Sequence, residues 1–396
     1  MPPARLQSVP MSSPSTAGSD ATAAPAPLLP DYAGGCIANL VPRIVTGTAT
    51  GDCDWIPQLA EHARQIVLLV VDGLGWEQLR ARRSLTPTLS AGAGIDRAIT
   101  SIAPTTTAAA LTSITTGCPP AGHGVLGYRL AEGDRILNML RWTLGNRSDD
   151  ARRTVPVRTF QPIAPFAGSA GAVPVVSKSD FGGTGFTAAH LGDSPLHEYR
   201  VPSSLAVEVA ASLEEGAPFV YAYYDGVDKV AHAHGFGPHY DAELAAVDRM
   251  VADLVAVLPP GAVLLVTADH GQIEVGNRVE VLGADAMGMV RFFSGEGRFR
   301  WLHARPGAAD DLAALCEERY GACAWVRSRD RLVDEGWFGG PLGDGFAGRL
   351  GDVALIPFEP VAFVDPADPG ENRLACRHGS LTSDEMLVPL VALGGG

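Results

Sequence analysis

The run Ile66-Val67-Leu68-Leu69-Val70-Val71, followed at once by Asp72-Gly73, decides the fold class. It is short, apolar and rich in β-branched side chains. A strand with one face in water alternates apolar and polar residues, whereas one covered on both faces does not. The run therefore predicts a strand inside a parallel sheet. At Asp72-Gly73 the chain changes character and the strand must end.

Similar runs recur at 218–224, 263–267, 353–357 and 387–393. Helical patterns lie between them; over 240–258, Leu244, Val247, Val251, Leu254 and Val255 share one face. Strands alternating with helices predict an α/β fold, with a mostly parallel central sheet and helices on both faces. Two regions break the alternation. Residues 141–195, rich in Gly, Pro and Ser, read as long surface excursions. Residues 279–341 contain strand-like 297–304, helix-like 308–320 and strand-like 322–327, the makings of a small inserted α+β cap. Residues 1–30 have the Pro, Ala and Ser bias of a disordered tail, which leaves 31–396 as the functional unit.

With 46% hydrophobic and 19% charged residues in 396, a sizeable core can be buried. The net charge of -14 argues against gripping a nucleic-acid polymer through its phosphates. No stretch approaches the ~20 apolar residues of a membrane span, and the first residues lack the apolar core of a signal peptide. The expectation is a soluble, cytoplasmic protein without a membrane partner. Cys36, Cys53, Cys118, Cys316, Cys323 and Cys376 are scattered, with no Cys-x-x-Cys pair. They read as small buried hydrophobes, with pairs 36–53 and 316–323 left open as disulfides.

The chemistry gathers after the strand-like runs, where open α/β sheets collect functional groups. Asp72 follows the first run. Asp228 and His232 follow the second, in Tyr224-Asp225-Gly226-Val227-Asp228 and onward. Asp269-His270-Gly271 follows the third, and His378-Gly379 precedes the last. Any one of these is also explained as a turn former, a helix cap or a solvated pair. Together, three Asp and three His form a mixed oxygen and nitrogen set suited to zinc. Thr105-Thr106-Thr107 precedes a small-residue helical stretch ending at Gly117. A hydroxyl there sits where helix N–H groups favour an anion, although a threonine run can equally be a helix cap.

The order Asp72, threonine run, Asp-x-x-x-His, Asp-His-Gly and late His-Gly resembles the alkaline phosphatase superfamily, in its nucleotide pyrophosphatase/phosphodiesterase branch, over residues 66–393. The resemblance implies Thr107 as nucleophile, ten residues before Gly117. It implies one divalent ion held by Asp72, Thr107, Asp269 and His270, and another held by Asp228, His232 and His378. Zinc is the expected metal, with manganese as the alternative. His123, after the helix, is expected to be structural support. The implied activity is hydrolysis of small phosphorylated substrates, diesters or nucleotide pyrophosphates, through a phosphothreonine intermediate. Phosphomonoesters or phosphonates on the same scaffold, and a catalytically silent metal-binding protein, are the alternatives. Cys118-Pro119-Pro120-Ala121 lacks the Cys-x-Pro-x-Arg pattern of sulfatases. The resemblance also implies an Asn three residues after the nucleophile, where it helps hold a phosphoryl oxygen; Ala110 stands there, which leaves a backbone N–H, or a side chain such as Asn138 or Lys178, as the substitute donor. The Gly-rich segment 181–185 is a further candidate to line the site.

Overall fold

The computed structural model describes residues 24–46, 54–145, 149–368 and 370–395. The deciding run is strand β1 (Gln65–Val71), and Val67 through Val71 are fully buried. The other strands of its sheet are β2 (Ala98–Thr100), β3 (Val175–Lys178), β4 (Leu196–Tyr199), β5 (Phe219–Tyr224), β6 (Ala262–Thr267) and β7 (Leu387–Gly394). Their spatial order is β2-β7-β6-β1-β5-β3-β4, a seven-stranded sheet among the described residues. Only β7 runs against its neighbours, β6 and β2. The sheet is thus mostly parallel, with β1 at its centre.

Helices cover the sheet, and they explain the continuous apolar runs. Helix α1 (Thr107–Thr116) packs with Gly185–Leu191, and Pro238–Val257 packs with Leu205–Glu214. All ten residues of α1 are buried. It tolerates this because its side chains are small and its hydroxyls are satisfied locally: Thr112, Thr115 and Thr116 donate to carbonyls one turn back.

Two expectations need correction. The run at 353–357 is not in the central sheet. Val353–Pro357 pairs antiparallel with Phe299–Ala304 and Ala324–Ser328, in a second sheet completed by Val290–Glu296. A continuous apolar run reports cover on both faces, which an antiparallel strand under the helix Ala309–Tyr320 also has. The stretch 141–195 is likewise more than surface excursion. It supplies β3 and the helix Gly185–Leu191, and Trp142 is wholly buried with its indole N–H on Val155 O at 3.0 Å.

Of the N-terminal tail, residues 1–23 lie outside the described residues. Residues 24–30 lie along the body: Leu28 N–H donates to Leu381 O at 3.0 Å, and Trp325 Nε1–H to Pro25 O at 2.6 Å. Cys36, Cys118, Cys316, Cys323 and Cys376 are free thiols; Cys53 lies outside the described residues. No helix among the described residues is long and apolar enough to cross a membrane.

Candidate metal centre

Register brings the strand ends together. Val71 pairs with Tyr224, and Val70 with Thr267, so β5, β1 and β6 finish side by side. The next residues are Asp72, Asp225 and Ala268-Asp269. Asp72 N–H donates to Tyr224 O at 2.8 Å, and Asp228 N–H donates to Asp72 O at 3.1 Å, which ties the start of helix α2 (Gly226–His234) to the end of β1. Gly73 has φ +72°, and a side chain there would meet Gln272 and the Asp228 backbone. The Asp-Gly pair is therefore demanded by the close approach. Gly271 is equally constrained, since a Cβ would run into the carbonyl of Asp384.

The six acidic and imidazole side chains converge here. His270 Nε2 lies 3.3 Å from Asp269 Oδ2 and 3.6 Å from Asp72 Oδ1. His232 Nε2 lies 3.2 Å from Asp228 Oδ1, and His378 Nε2 lies 3.8 Å from the same oxygen. The His270 and His378 rings stack at 3.7 Å, and His232 and His378 are 5.3 Å apart. Two sets of ligand atoms lie within 4.8 Å of one another: Asp72, Asp269 and His270, and Asp228, His270 and His378. His270 stands between the two groups.

The second contacts fix how these side chains face. Each imidazole uses Nδ1 on a backbone carbonyl: His232 on Cys376 O at 2.7 Å, His270 on Gly271 O at 3.0 Å, His378 on Thr105 O at 2.8 Å. An Nδ1–H donor leaves the Nε2 lone pair free, the tautomer a metal ligand needs. Tyr223 O–H donates to Asp72 Oδ2, and Gly73 N–H to Asp269 Oδ1 at 3.0 Å. The remaining oxygens, Asp72 Oδ1 and Asp269 Oδ2, are buried without a hydrogen-bond partner. Buried carboxylate oxygens of this kind require a counter-charge.

Electrostatics point the same way. Burial, then the charges of Asp269 and Asp228, pushes the Asp72 carboxyl well above its ordinary range. Burial also raises Asp228 and Asp269. Burial lowers His270, and burial with the neighbouring imidazoles drives His378 well below its usual value. Neutral imidazoles beside crowded carboxylates are a donor set that divalent cations satisfy. The residues present fit the metals.

Thr107 opens α1 beside this set, with Oγ1 3.2 Å from His270 Nε2. Thr105 is spent elsewhere, donating to Ser380 O at 2.8 Å and accepting Gly379 N–H at 3.0 Å. Thr106 is the residue preceding the helix and lines the adjoining cavity. Ala110 is wholly buried and lies in neither cavity wall described below. Lys178 pairs with Asp180 at 3.2 Å and lines neither cavity; Asn138 lines the larger one. His123 is buried behind α1, accepting Val125 N–H at Nδ1 (3.1 Å) and facing Ser113 Oγ at 2.9 Å. That position gives it a supporting contact to the helix.

Two cavities meet at Thr107 and Asp228. The larger, of about 430 Å³, is walled by polar groups including Glu296, Arg377 and His378. The smaller, of about 180 Å³, is walled by Leu111, Phe181, Phe186 and Leu191, so the 181–185 segment does border the site. Sequence reading missed Tyr223 and Gln272, whose amide donates to Asp228 Oδ1 at 3.0 Å. Tyr223 reads as one more apolar strand residue. Gln272 follows Asp-His-Gly directly, which was its signal.

A sequence profile described as type I phosphodiesterase / nucleotide pyrophosphatase matches residues 66–381. Comparison with curated proteins finds no match. Among solved structures, human ectonucleotide pyrophosphatase/phosphodiesterase 5 is similar at TM-score 0.62 and 13% identity, covering 83% of this chain and 88% of that one. The murine protein, in an inactive form complexed with AMP, gives 0.59 and 14%, covering 84% and 88%. Phosphonoacetate hydrolase from Sinorhizobium meliloti 1021, complexed with phosphonoformate, gives 0.60 and 19%, covering 84% and 90%.

Proposed function

The chain belongs to the type I phosphodiesterase / nucleotide pyrophosphatase family, and from that premise we propose that it hydrolyses small phosphodiesters or nucleotide pyrophosphates through a phosphothreonine intermediate on Thr107. The observation that carries this reading is the Thr107 hydroxyl lying 3.2 Å from His270, within a set of three Asp and three His whose free donor atoms converge.

Asp72, Asp269, His270 and Thr107 would hold one divalent ion, and Asp228, His232 and His378 the other. Bound there, zinc or manganese supplies positive charge that lowers the hydroxyl pKa and offsets charge on the phosphoryl oxygens. Thr107 gives its proton to solvent water as Oγ1 attacks phosphorus. The bond to the leaving oxygen breaks with its electron pair, and a threonine phosphate ester remains. Water then attacks that phosphorus, breaks the ester and returns Thr107. The N-terminal end of α1 faces the developing anion with its dipole. Tyr223 and Gln272 hold Asp72 and Asp228 in place. Two cavities opening from Thr107 favour a phosphorus with two substituents, one received by each.

Bis(p-nitrophenyl) phosphate tests this directly. Thr107→Ala should lower turnover of the metal-loaded enzyme by roughly three orders of magnitude or more, as loss of a covalent nucleophile does. Its metal content should stay near that of the native protein. A variant with unimpaired turnover would move the nucleophile elsewhere.

A further inference from the structure

Arg377, adjacent to His378, is 2% exposed, and neither of its terminal nitrogens has a hydrogen-bond partner among the described residues. Its Nε reaches only the Leu374 carbonyl, at 3.4 Å. The charges around it are already matched. Arg298 forks onto Glu385 at 3.1 and 2.6 Å. Glu371 takes Arg300 on one oxygen and Gly297 N–H on the other. Asp368 lies 3.3 Å from Arg129. A buried guanidinium left without an acceptor is strongly disfavoured, so the position of a missing partner is marked.

Arg377 lines the larger cavity, whose wall also carries Thr107 and His378. Glu296 lines it too, and its Oε1 has no partner. Burial pushes the Glu296 carboxyl up to about 8, so near neutrality it is largely a hydrogen-bond donor rather than an opposing anion. A planar guanidinium and a protonated carboxyl on one cavity wall suit the oxygens of a carboxylate or a phosphoryl group.

We propose that Arg377, with Glu296 on the same cavity wall, receives a second anionic group of the substrate, carried on the substituent that enters the larger cavity. The inference rests on the phosphoryl-transfer reading above and narrows its substrate class. The favoured substrates are phosphoesters, pyrophosphates or phosphonates bearing a further carboxylate or phosphoryl charge a few bonds from the reacting phosphorus.

Calorimetric binding to the zinc-loaded full chain tests this without requiring turnover. Three probes suffice: methylphosphonate, phosphonoacetate and methylenediphosphonate. In the native protein at least one of the two probes that carry a second anionic group should bind about tenfold or more tighter than methylphosphonate, as a charge-assisted fork implies. Preference for phosphonoacetate assigns the position to carboxylates, and preference for methylenediphosphonate to phosphoryl groups. In Arg377→Gln that ratio should fall to roughly threefold or less, with Arg377→Lys between the two. Any part of the preference owed to the cations themselves persists in the variants and is thereby separated. Should Arg377→Gln fail to fold, the ratio in Arg377→Lys decides. Equal ratios in native and variant proteins overturn the inference alone. If none of the probes binds the native protein, the phosphoryl site itself is misread, and this inference falls with it.

Discussion

At the scale of single residues, atoms left over by the local hydrogen bonding carry the most information. Asp72 Oδ1, Asp269 Oδ2 and the Nε2 atoms of three histidines have their other contacts supplied by the protein and face a common space. His123 is the contrast: both nitrogens are used within the protein, and burial, then Arg349, lowers its pKa to about 3. An imidazole kept neutral in the folded state and free to protonate near 6.5 when unfolded makes stability fall with acidity. The loss begins as pH drops below about 6.5 and runs down to about 3. Its slope is about 1.4 kcal/mol per pH unit. His123→Gln removes that titration. Urea unfolding of both proteins between pH 6.5 and 4.5 should therefore show the native protein losing stability more steeply, by up to that slope. Parallel pH profiles would mean that His123 is solvated or protonated in the folded protein.

At the scale of elements, the site is the meeting of strand ends with one loop, and the loop depends on the second sheet. His378 lies on the segment running back into β7. Glu385 fixes that segment, accepting Ser380 N–H at 3.0 Å and Thr382 O–H at 2.6 Å while paired with Arg298. Arg298 belongs to the turn between Val290–Glu296 and Phe299–Ala304, so the second sheet holds a proposed ligand in place from a distance. Arg298→Leu leaves Glu385 buried and unpaired, and should cost about 3–5 kcal/mol in chemical unfolding while weakening retention of the ion near His378. A loss below about 1 kcal/mol would show that the loop stands without the pair. Much of this level was legible in advance. β1, β5 and β6 announce themselves by continuous apolar runs, each followed within two residues by an acidic one. β3 and β4 were hidden, being short and lying within or directly after the Gly- and Pro-rich stretch 141–195. Val353–Pro357 was visible as a strand but not as an antiparallel one, because burial on both faces does not encode direction. Tyr223 was read as a plain core residue, since nothing in the sequence tells which strand aromatic turns its hydroxyl to a carboxylate.

At the scale of the whole molecule, a chain with net charge -14 concentrates three carboxylates at one end of its sheet, two buried and Asp228 half-buried, each pushed above its ordinary range. An acid whose folded pKa is raised penalises the folded state above its unfolded pKa, and the penalty is relieved as pH falls through the folded value. The metal-free protein should therefore melt lower than the metal-loaded one at pH 7, and zinc should restore the melting temperature in a concentration-dependent way. Asp72→Asn should raise the stability of the metal-free protein by about 1 kcal/mol or more while lowering activity with metal added. No change in melting with chelator would argue that these carboxylates are balanced by the protein alone. The proposed chemistry requires two cations among these six side chains, beside one hydroxyl. Anomalous diffraction from zinc-soaked crystals tests it most directly. The account predicts two peaks: one about 2.0–2.2 Å from ligand atoms of Asp72, Asp269, His270 and Thr107, the other equally close to Asp228, His232 and His378. A single peak, or peaks remote from Thr107, would contradict it.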